Sequence, residues 1–393
     1  MNGFQYYMKT EIVFGQESWQ QVAGLVKKHG GSRVLVVYGG GSCVRSGLLN
    51  KVTGLLQQEN ICYDTFGGVK PNPTLNHARN GVQKAMEFGA DLILAIGGGS
   101  SIDTAKAIAH GAANPETDIW QFWMGKEKVK KTLPVGVVLT IPAAGSETSD
   151  SAVLTQEETL SKRGLTTDFN RPAFAVMDPA LAATLPKYQI ACGVSDILMH
   201  TLDRYFNPLQ DNEITDAIAE ALLKVVLKNG TKVYENACDL KAMSEIMWCG
   251  SLSHNGLTGL GGKKDFAVHQ LGHGVSARYD LAHGASLTCI WKAWAEAVAD
   301  IDGYQRFARF ARNVWGVIEC DDKAAAMEGI RLQTAYFKSL DMPVSIVDLG
   351  FADVDVEELA NLCSYQKTRT IGTFKVLDHN AISAIYTAAN QGK

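Results

Sequence analysis

This 393-residue sequence lacks several signatures, and each absence narrows what the protein can be. No apolar run approaches the ~18 residues of a membrane span, so no membrane partner is expected. Residues 1–15 lack the charged-then-apolar pattern of a secretion signal. None of the eight cysteines, at 43, 62, 192, 238, 249, 289, 320 and 363, forms a C-x-x-C pair. Reduced thiols in a cytoplasmic protein are therefore expected. Neither charge dominates: 37 basic residues face 41 acidic ones, for a net charge of −4. The densest basic stretch, Lys126–Lys131, contains a glutamate and reads as a solvated loop, so no nucleic-acid partner is expected. There is no H-E-x-x-H motif, which disfavours a zincin protease, and neither a P-loop nor a G-x-G-x-x-G fingerprint. Repeats and low-complexity segments are absent as well.

What is present is ordinary globular composition, 46% hydrophobic and 20% charged, in a chain long enough for two cores. The first half alternates β-rich apolar runs with helical stretches. Val34–Tyr38 reads as a strand ending in Gly39-Gly40-Gly41, followed by a helix over Leu48–Glu59 and a strand over Ile61–Phe66. Asn76–Phe88 is predicted helical with Gly89 as its stop, and Leu92–Ile96 is a buried strand running into Gly97-Gly98-Gly99-Ser100-Ser101. A helix over Ile102–Ala113 and a strand over Val135–Ile141 complete the pattern. Such alternation predicts a Rossmann-like parallel sheet covered on both faces. From about Pro186 the pattern turns helical, with helices predicted over Thr215–Leu227, Leu240–His254, Trp291–Asp300, Tyr304–Trp315, Ala324–Leu340, Val356–Tyr365 and His379–Ala389. The expected fold class is α/β plus all-α: a dinucleotide-binding domain over 1–184 and a helical metal-binding domain over 185–393. Trp120, Phe122 and Trp123 fit either the lining of an apolar pocket or a core, and core packing is the expectation.

Gly97-Gly98-Gly99-Ser100 lies between a strand and a helix, where backbone N–H groups and the helix dipole can hold a phosphate. Asp103, in the first turn, can cap the helix or reach a ribose. Gly39, Gly40 and Ser42 follow the first strong strand, at a place where dinucleotides lie in sheets of this kind. No carboxylate ends Val34–Tyr38 to accept from an adenosine ribose or to repel a 2′-phosphate. With Ser42 and Arg45 nearby, NADP(H) is favoured over NAD(H). Thr140–Ser149 ends another strand with small and hydroxyl residues, suited to the nicotinamide end of a cofactor.

Asp196 and His200 stand four residues apart, His269 and His273 repeat the spacing, and His283 follows. Each i,i+4 pair falls on one face of a helix. A carboxylate and several imidazoles fit an N/O site for Fe2+ or Zn2+. Five candidates exceed the usual three or four protein ligands, so spacing leaves the set open. His29, His77, His110, His254 and His379 are read as structural or exposed.

The motifs Gly97-Gly98-Gly99-Ser100-x-x-Asp103-x-x-Lys106, Gly145-Ser146-Glu147, Asp178-Pro179, Asp196-x-x-x-His200 and His269-x-x-x-His273, followed by His283-Gly284, resemble the iron-containing (group III) alcohol dehydrogenase family over essentially the whole chain. The similarity is to its branch of butanol dehydrogenases and broad-range NADPH-dependent aldehyde reductases. The resemblance implies a dehydroquinate synthase-like fold, a homodimer and an aldehyde or primary alcohol as substrate. It assigns Asp196, His200, His269 and His283 to the metal and His273 to a proton relay beside the substrate. Gly98, Gly99, Ser100 and Asp103 fall on its pyrophosphate loop, Thr140 and Lys162 near its nicotinamide or phosphate contacts. Gly39 stands where NAD-preferring members often carry Asp. The Thr140–Glu147 segment has fewer hydroxyls than the family's Thr-rich T-T-x-G-T-G-S-E. A lyase or cyclase of the dehydroquinate synthase type and a metallohydrolase are the alternative readings.

Overall fold

The computed structural model describes residues 1–208, 211–351 and 353–392. The chain forms two units, one of Tyr7–Leu185 with Cys238–Ser251, the other of Met1–Tyr6, Pro186–Ala237 and Leu252–Lys393.

The first unit is built on eight strands: β1 (Glu11–Phe14), β2 (Arg33–Gly39), β3 (Cys62–Val69), β4 (Leu92–Gly97), β5 (Val135–Leu139), β6 (Ser151–Gln156), β7 (Ser161–Thr166) and β8 (Phe174–Met177). Six of them form a parallel sheet in the order β1-β8-β5-β4-β2-β3. Strands β4, β5 and β8 are buried almost throughout, which is why they read as continuous apolar runs rather than alternations. From β2 the chain goes to β3 on one side and then to β4 on the other, so the strand order reverses between β2 and β4. That reversal is the topological switch point at which open α/β sheets bind their ligands.

The predicted strands and helices of this half are present within a few residues. β6 and β7, an antiparallel hairpin, were not anticipated. Their serines, threonines and charged residues carry a weak strand signal, and the pair is held by Ala152 and Leu154 packing on Trp120, Phe122 and Trp123. The three aromatics are thus core residues.

The second unit is helical. Its main helices among the described residues are Lys187–Tyr205, Glu213–Glu235, Ala267–Tyr279, His283–Val298, Gln305–Trp315, Asp322–Ser339, Val356–Cys363 and His379–Asn390. Phe206, Trp291, Trp294 and Phe307 form an aromatic core, with Phe206 and Phe307 stacked at 4.1 Å. The buried Arg306 guanidinium bonds both carboxylate oxygens of Asp216 at 2.6 and 2.5 Å. Lys187–Tyr205 and Ala267–Tyr279 were not delimited from the sequence, and the helix expected over Trp291–Asp300 begins at His283. Lys187–Tyr205 is buried on every side from Ile190 onward except at Cys192, so it lacks the polar face that reveals an amphipathic helix.

His110, read as structural, lies fully buried in the first unit. Its Nδ1 pairs with Thr132 Oγ1 at 2.9 Å and its Nε2 with Asn170 Oδ1 at 2.8 Å. Asn170 Nδ2 donates to the carbonyls of Asp150 and Leu165, which orients Oδ1 to accept from His110. Burial pulls the imidazole down to about 4 from an ordinary 6.5, against the raising effect of Asn170. Between pH 6.5 and 4 the unfolded chain binds a proton at this site that the folded chain does not. His110 therefore contributes stability at neutral pH that is lost as pH falls through that window, on the order of 3 kcal/mol. Denaturant unfolding at pH 7 and pH 4.5 should show a smaller acid loss for His110→Gln than for wild type; equal losses would refute the assignment.

Candidate metal centre and cofactor loops

The Lys187–Tyr205 helix supplies Asp196 and, one turn on, His200. The Ala267–Tyr279 helix supplies His269 in its first turn. After the short connection 280–282, His283 opens the next helix. Ligand-type atoms of Asp196, His200, His269 and His283 all lie within 4.8 Å of one another. The Nε2 atoms of His200, His269 and His283 stand 3.4, 3.8 and 3.7 Å from Asp196 Oδ1. Asp196, His200 and His269 are 3–4% exposed, whereas the His283 side chain is 26% exposed. Asp196 Oδ1 and His269 Nε2 are buried and make no hydrogen bond. A buried carboxylate oxygen facing three imidazole nitrogens is costly unless a cation joins them. Three nitrogens and one oxygen suit Zn2+ or Fe2+. The residues present therefore fit a divalent metal.

Electrostatics divide the histidines. Burial, then the neighbouring His254 and His269, push the His200 imidazole well below its ordinary value and keep it neutral. Burial also lowers His269, but the carboxylates of Asp196 and Asp203 outweigh it and leave the group raised.

One backbone contact sets the geometry. A Cβ on Gly284 would come within 2.7 Å of the Cys192 Cα and closer still to its carbonyl oxygen. Only glycine lets the start of the His283–Val298 helix lie directly on the backbone one turn before Asp196.

His273 lies outside the four-residue cluster, its ring 5.6 Å from that of His283. His254, read as structural or exposed, is 9% exposed and lies 4.0 Å from the His200 ring. Asp203 was not singled out either. It follows Asp196 by seven residues, two helical turns, and that period was the available signal.

The glycine loops belong to the first unit. Gly39 ends β2 and Gly97 ends β4, on either side of the strand reversal, with Tyr38 paired to Ile96. Gly98 precedes the helix Gly99–Ala113. Gly40 and Ser42 are exposed beyond β2, and Ser100 is half-buried. A Cβ on Gly97 would stand 2.5 Å from Ser101 Oγ, and one on Gly39 3.6 Å from the same atom. Ser101, the last residue of the Gly97–Ser101 run, thus lies beneath both loops. Thr140 follows β5 and donates its N–H to Gly97 O at 3.1 Å. Lys162, on β7, donates to Asn72 Oδ1 at 2.8 Å. The Asp103 carboxylate is half-buried, accepting from Ser146 Oγ at 2.6 Å and Val153 N at 2.9 Å. Lys106 Nζ donates to Ser146 Oγ at 2.8 Å and Ser151 O at 2.7 Å. Asp103 and Lys106 thereby lock the helix that follows Gly97-Gly98 to the segment Thr140–Ser149.

The sequence model described as iron-containing alcohol dehydrogenase matches residues 9–179, and that of the Fe-containing alcohol dehydrogenase family C-terminal domain matches 189–390. The chain belongs to the iron-containing alcohol dehydrogenase family. It is 35% identical to NADH-dependent butanol dehydrogenase A of Clostridium acetobutylicum over 98% of this chain and 99% of the relative. It is 32% identical to the NADPH-dependent aldehyde reductase YqhD of Escherichia coli, over 99% and 100% of the two chains. The crystal structure of NADH-dependent butanol dehydrogenase A from Thermotoga maritima superposes with a TM-score of 0.95 at 32% identity, covering 99% of both chains. Membership makes this chain an oxidoreductase of the alcohol dehydrogenase type and implies a divalent metal and NAD(P)H. It favours that reading over the lyase, cyclase and hydrolase alternatives.

In this dehydrogenase the Gly284 contact is with backbone, which no rotamer change relieves. Gly284→Ala should cost about 1–3 kcal/mol by overpacking and lower metal content. Thermal unfolding with metal analysis of the purified variant checks this; unchanged values for both would contradict it.

Proposed function

We propose that the protein is an NADPH-favouring reductase of small aldehydes such as butanal, with Asp196, His200, His269 and His283 as its metal ligands. The observation that carries this reading is the buried three-histidine, one-carboxylate cluster in a chain whose β2 and β4 glycine loops flank a strand reversal. When bound, a divalent metal supplies Lewis-acid polarisation of the substrate oxygen, and the nicotinamide supplies the hydride. Asp196 brings the only formal negative charge among the four ligands. Imidazoles bind a metal in the neutral form, so a divalent ion held by the four would leave the site net positive toward a substrate oxygen that gains negative charge during reduction. His273, beside His283, relays the proton that the reduced oxygen takes up. Gly97, Gly98, Gly99 and Ser100 hold the pyrophosphate through the start of the Gly99–Ala113 helix, and Asp103 holds that loop in shape. Thr140 and Lys162 serve the nicotinamide side or phosphates. The domain assignment is a dinucleotide-binding part over 1–184 and a metal-binding part over 185–393, in a cytoplasmic homodimer.

The NADPH preference rests on the end of β2. Gly39, Gly40 and Ser42 put no carboxylate there, and the Arg45 guanidinium folds back to 3.2 Å from where a Gly41 Cβ would be. A cation without a competing carboxylate suits a 2′-phosphate.

Two outcomes are expected. Asp196→Ala should lose bound metal and butanal reduction together; retention of both would remove the ligand assignment. Wild type should show the higher kcat/KM with NADPH. Gly39→Asp meets only ordinary contact, 3.4 Å from Val69 O, and should move the NADPH-to-NADH ratio toward NADH on the order of tenfold. An NADH preference in wild type would sink this part of the reading.

A further inference from the structure

We infer that Asp203 is a positioning residue for the metal site, fixing the proton of His269 on Nδ1 so that Nε2, which faces Asp196, keeps its lone pair for a metal. This inference rests on the proposed ligand set and adds a group that touches neither metal nor substrate.

Asp203 lies on the Lys187–Tyr205 helix and is completely buried. Its Oδ2 stands 2.5 Å from His269 Nδ1 and accepts from the His269 backbone N–H at 3.3 Å. The carboxylate already accepts from the His269 backbone N–H through the same oxygen, and the ring contact is met by a proton on Nδ1, the tautomer that leaves Nε2 without one. The opposite ring nitrogen, Nε2, is the atom that faces Asp196 Oδ1 at 3.8 Å. Contact to both the ring and the backbone of one residue restricts the torsion as well as the tautomer.

The backbone of Asp203 strengthens this hold. Its carbonyl accepts from Asp265 N at 2.8 Å. The Asp265 carboxylate in turn accepts from Ala267 N at 3.1 Å, Thr373 N at 2.6 Å and Phe374 N at 2.7 Å. Asp265 thus caps the helix that bears His269, and Asp203 is bonded to the start of that helix at two points. Carboxylates that orient metal-binding histidines affect metal affinity about 10–100-fold.

The test uses the full-length protein stripped of metal and titrated with Co2+, read by competition with a chelator and by the cobalt d–d spectrum. Asp203→Asn keeps the shape and an acceptor oxygen but removes the charge, so it is independent of whether a truncated side chain folds. It should bind Co2+ about tenfold more weakly and shift the d–d bands, with metal-free unfolding temperature close to wild type. Asp203→Ala should lose about 100-fold. Asp203→Asn with wild-type affinity and an unchanged spectrum overturns the inference while leaving the ligand set standing. Failure of wild type to take up Co2+, or full uptake by His200→Ala, overturns the ligand set and this inference with it.

Discussion

Asp196 carries a carboxylate oxygen into a setting where no hydrogen bond meets it and three imidazole nitrogens face it within 3.8 Å. Much of the helical unit is arranged around that oxygen. The Lys187–Tyr205 helix is buried on nearly every side, Gly284 lets the His283–Val298 helix touch its backbone, and Asp203 reaches across to His269. Each feature is expensive alone: a desolvated charge, a residue that can only be glycine, a fully buried second carboxylate. Together they fit a cation site, in which the cost of desolvation met in folding would be offset by a bound cation.

The sheet unit follows a different logic. Its loops after β2 and β4 are built from glycine and serine, so close backbone packing matters more there than charge. Gly97 and Gly39 leave room for Ser101 beneath them, while Asp103 and Lys106 spend their charges on Ser146, Val153 and Ser151. Burial holds Lys106 down to about 8 against the pull of Asp103, Glu147 and Asp150. These two side chains hold the start of the Gly99–Ala113 helix against the segment that follows β5.

The legibility of the sequence followed the physics of each element. β4 was clear because a fully buried parallel strand is a continuous apolar run, and the Gly97–Ser100 loop was clear because few other residues fit there. Asp196, His200, His269 and His283 were visible as a group by residue type and helical spacing, but spacing alone could not separate His273 from them. Separation needed the ring positions, or the family motif. The Lys187–Tyr205 helix was not delimited because a helix buried on nearly every side has little amphipathic period. The β6–β7 hairpin escaped because its stability comes from packing on Trp120 and Trp123 rather than from its own residues. His254 and Asp203 were not recognised as neighbours of the site because their meaning comes from stacking and pairing across the fold.

Asp196, His200, His269 and His283 are the side chains proposed to surround the metal. Anomalous diffraction at the absorption edge of the bound metal, from crystals of the purified protein, tests this directly. The predicted result is one strong peak per chain within bonding distance of Asp196, His200 Nε2, His269 Nε2 and His283 Nε2, with Asp203 still on His269 Nδ1. A peak coordinated instead by His254 or His273, or no peak among these four residues in active protein, would contradict it.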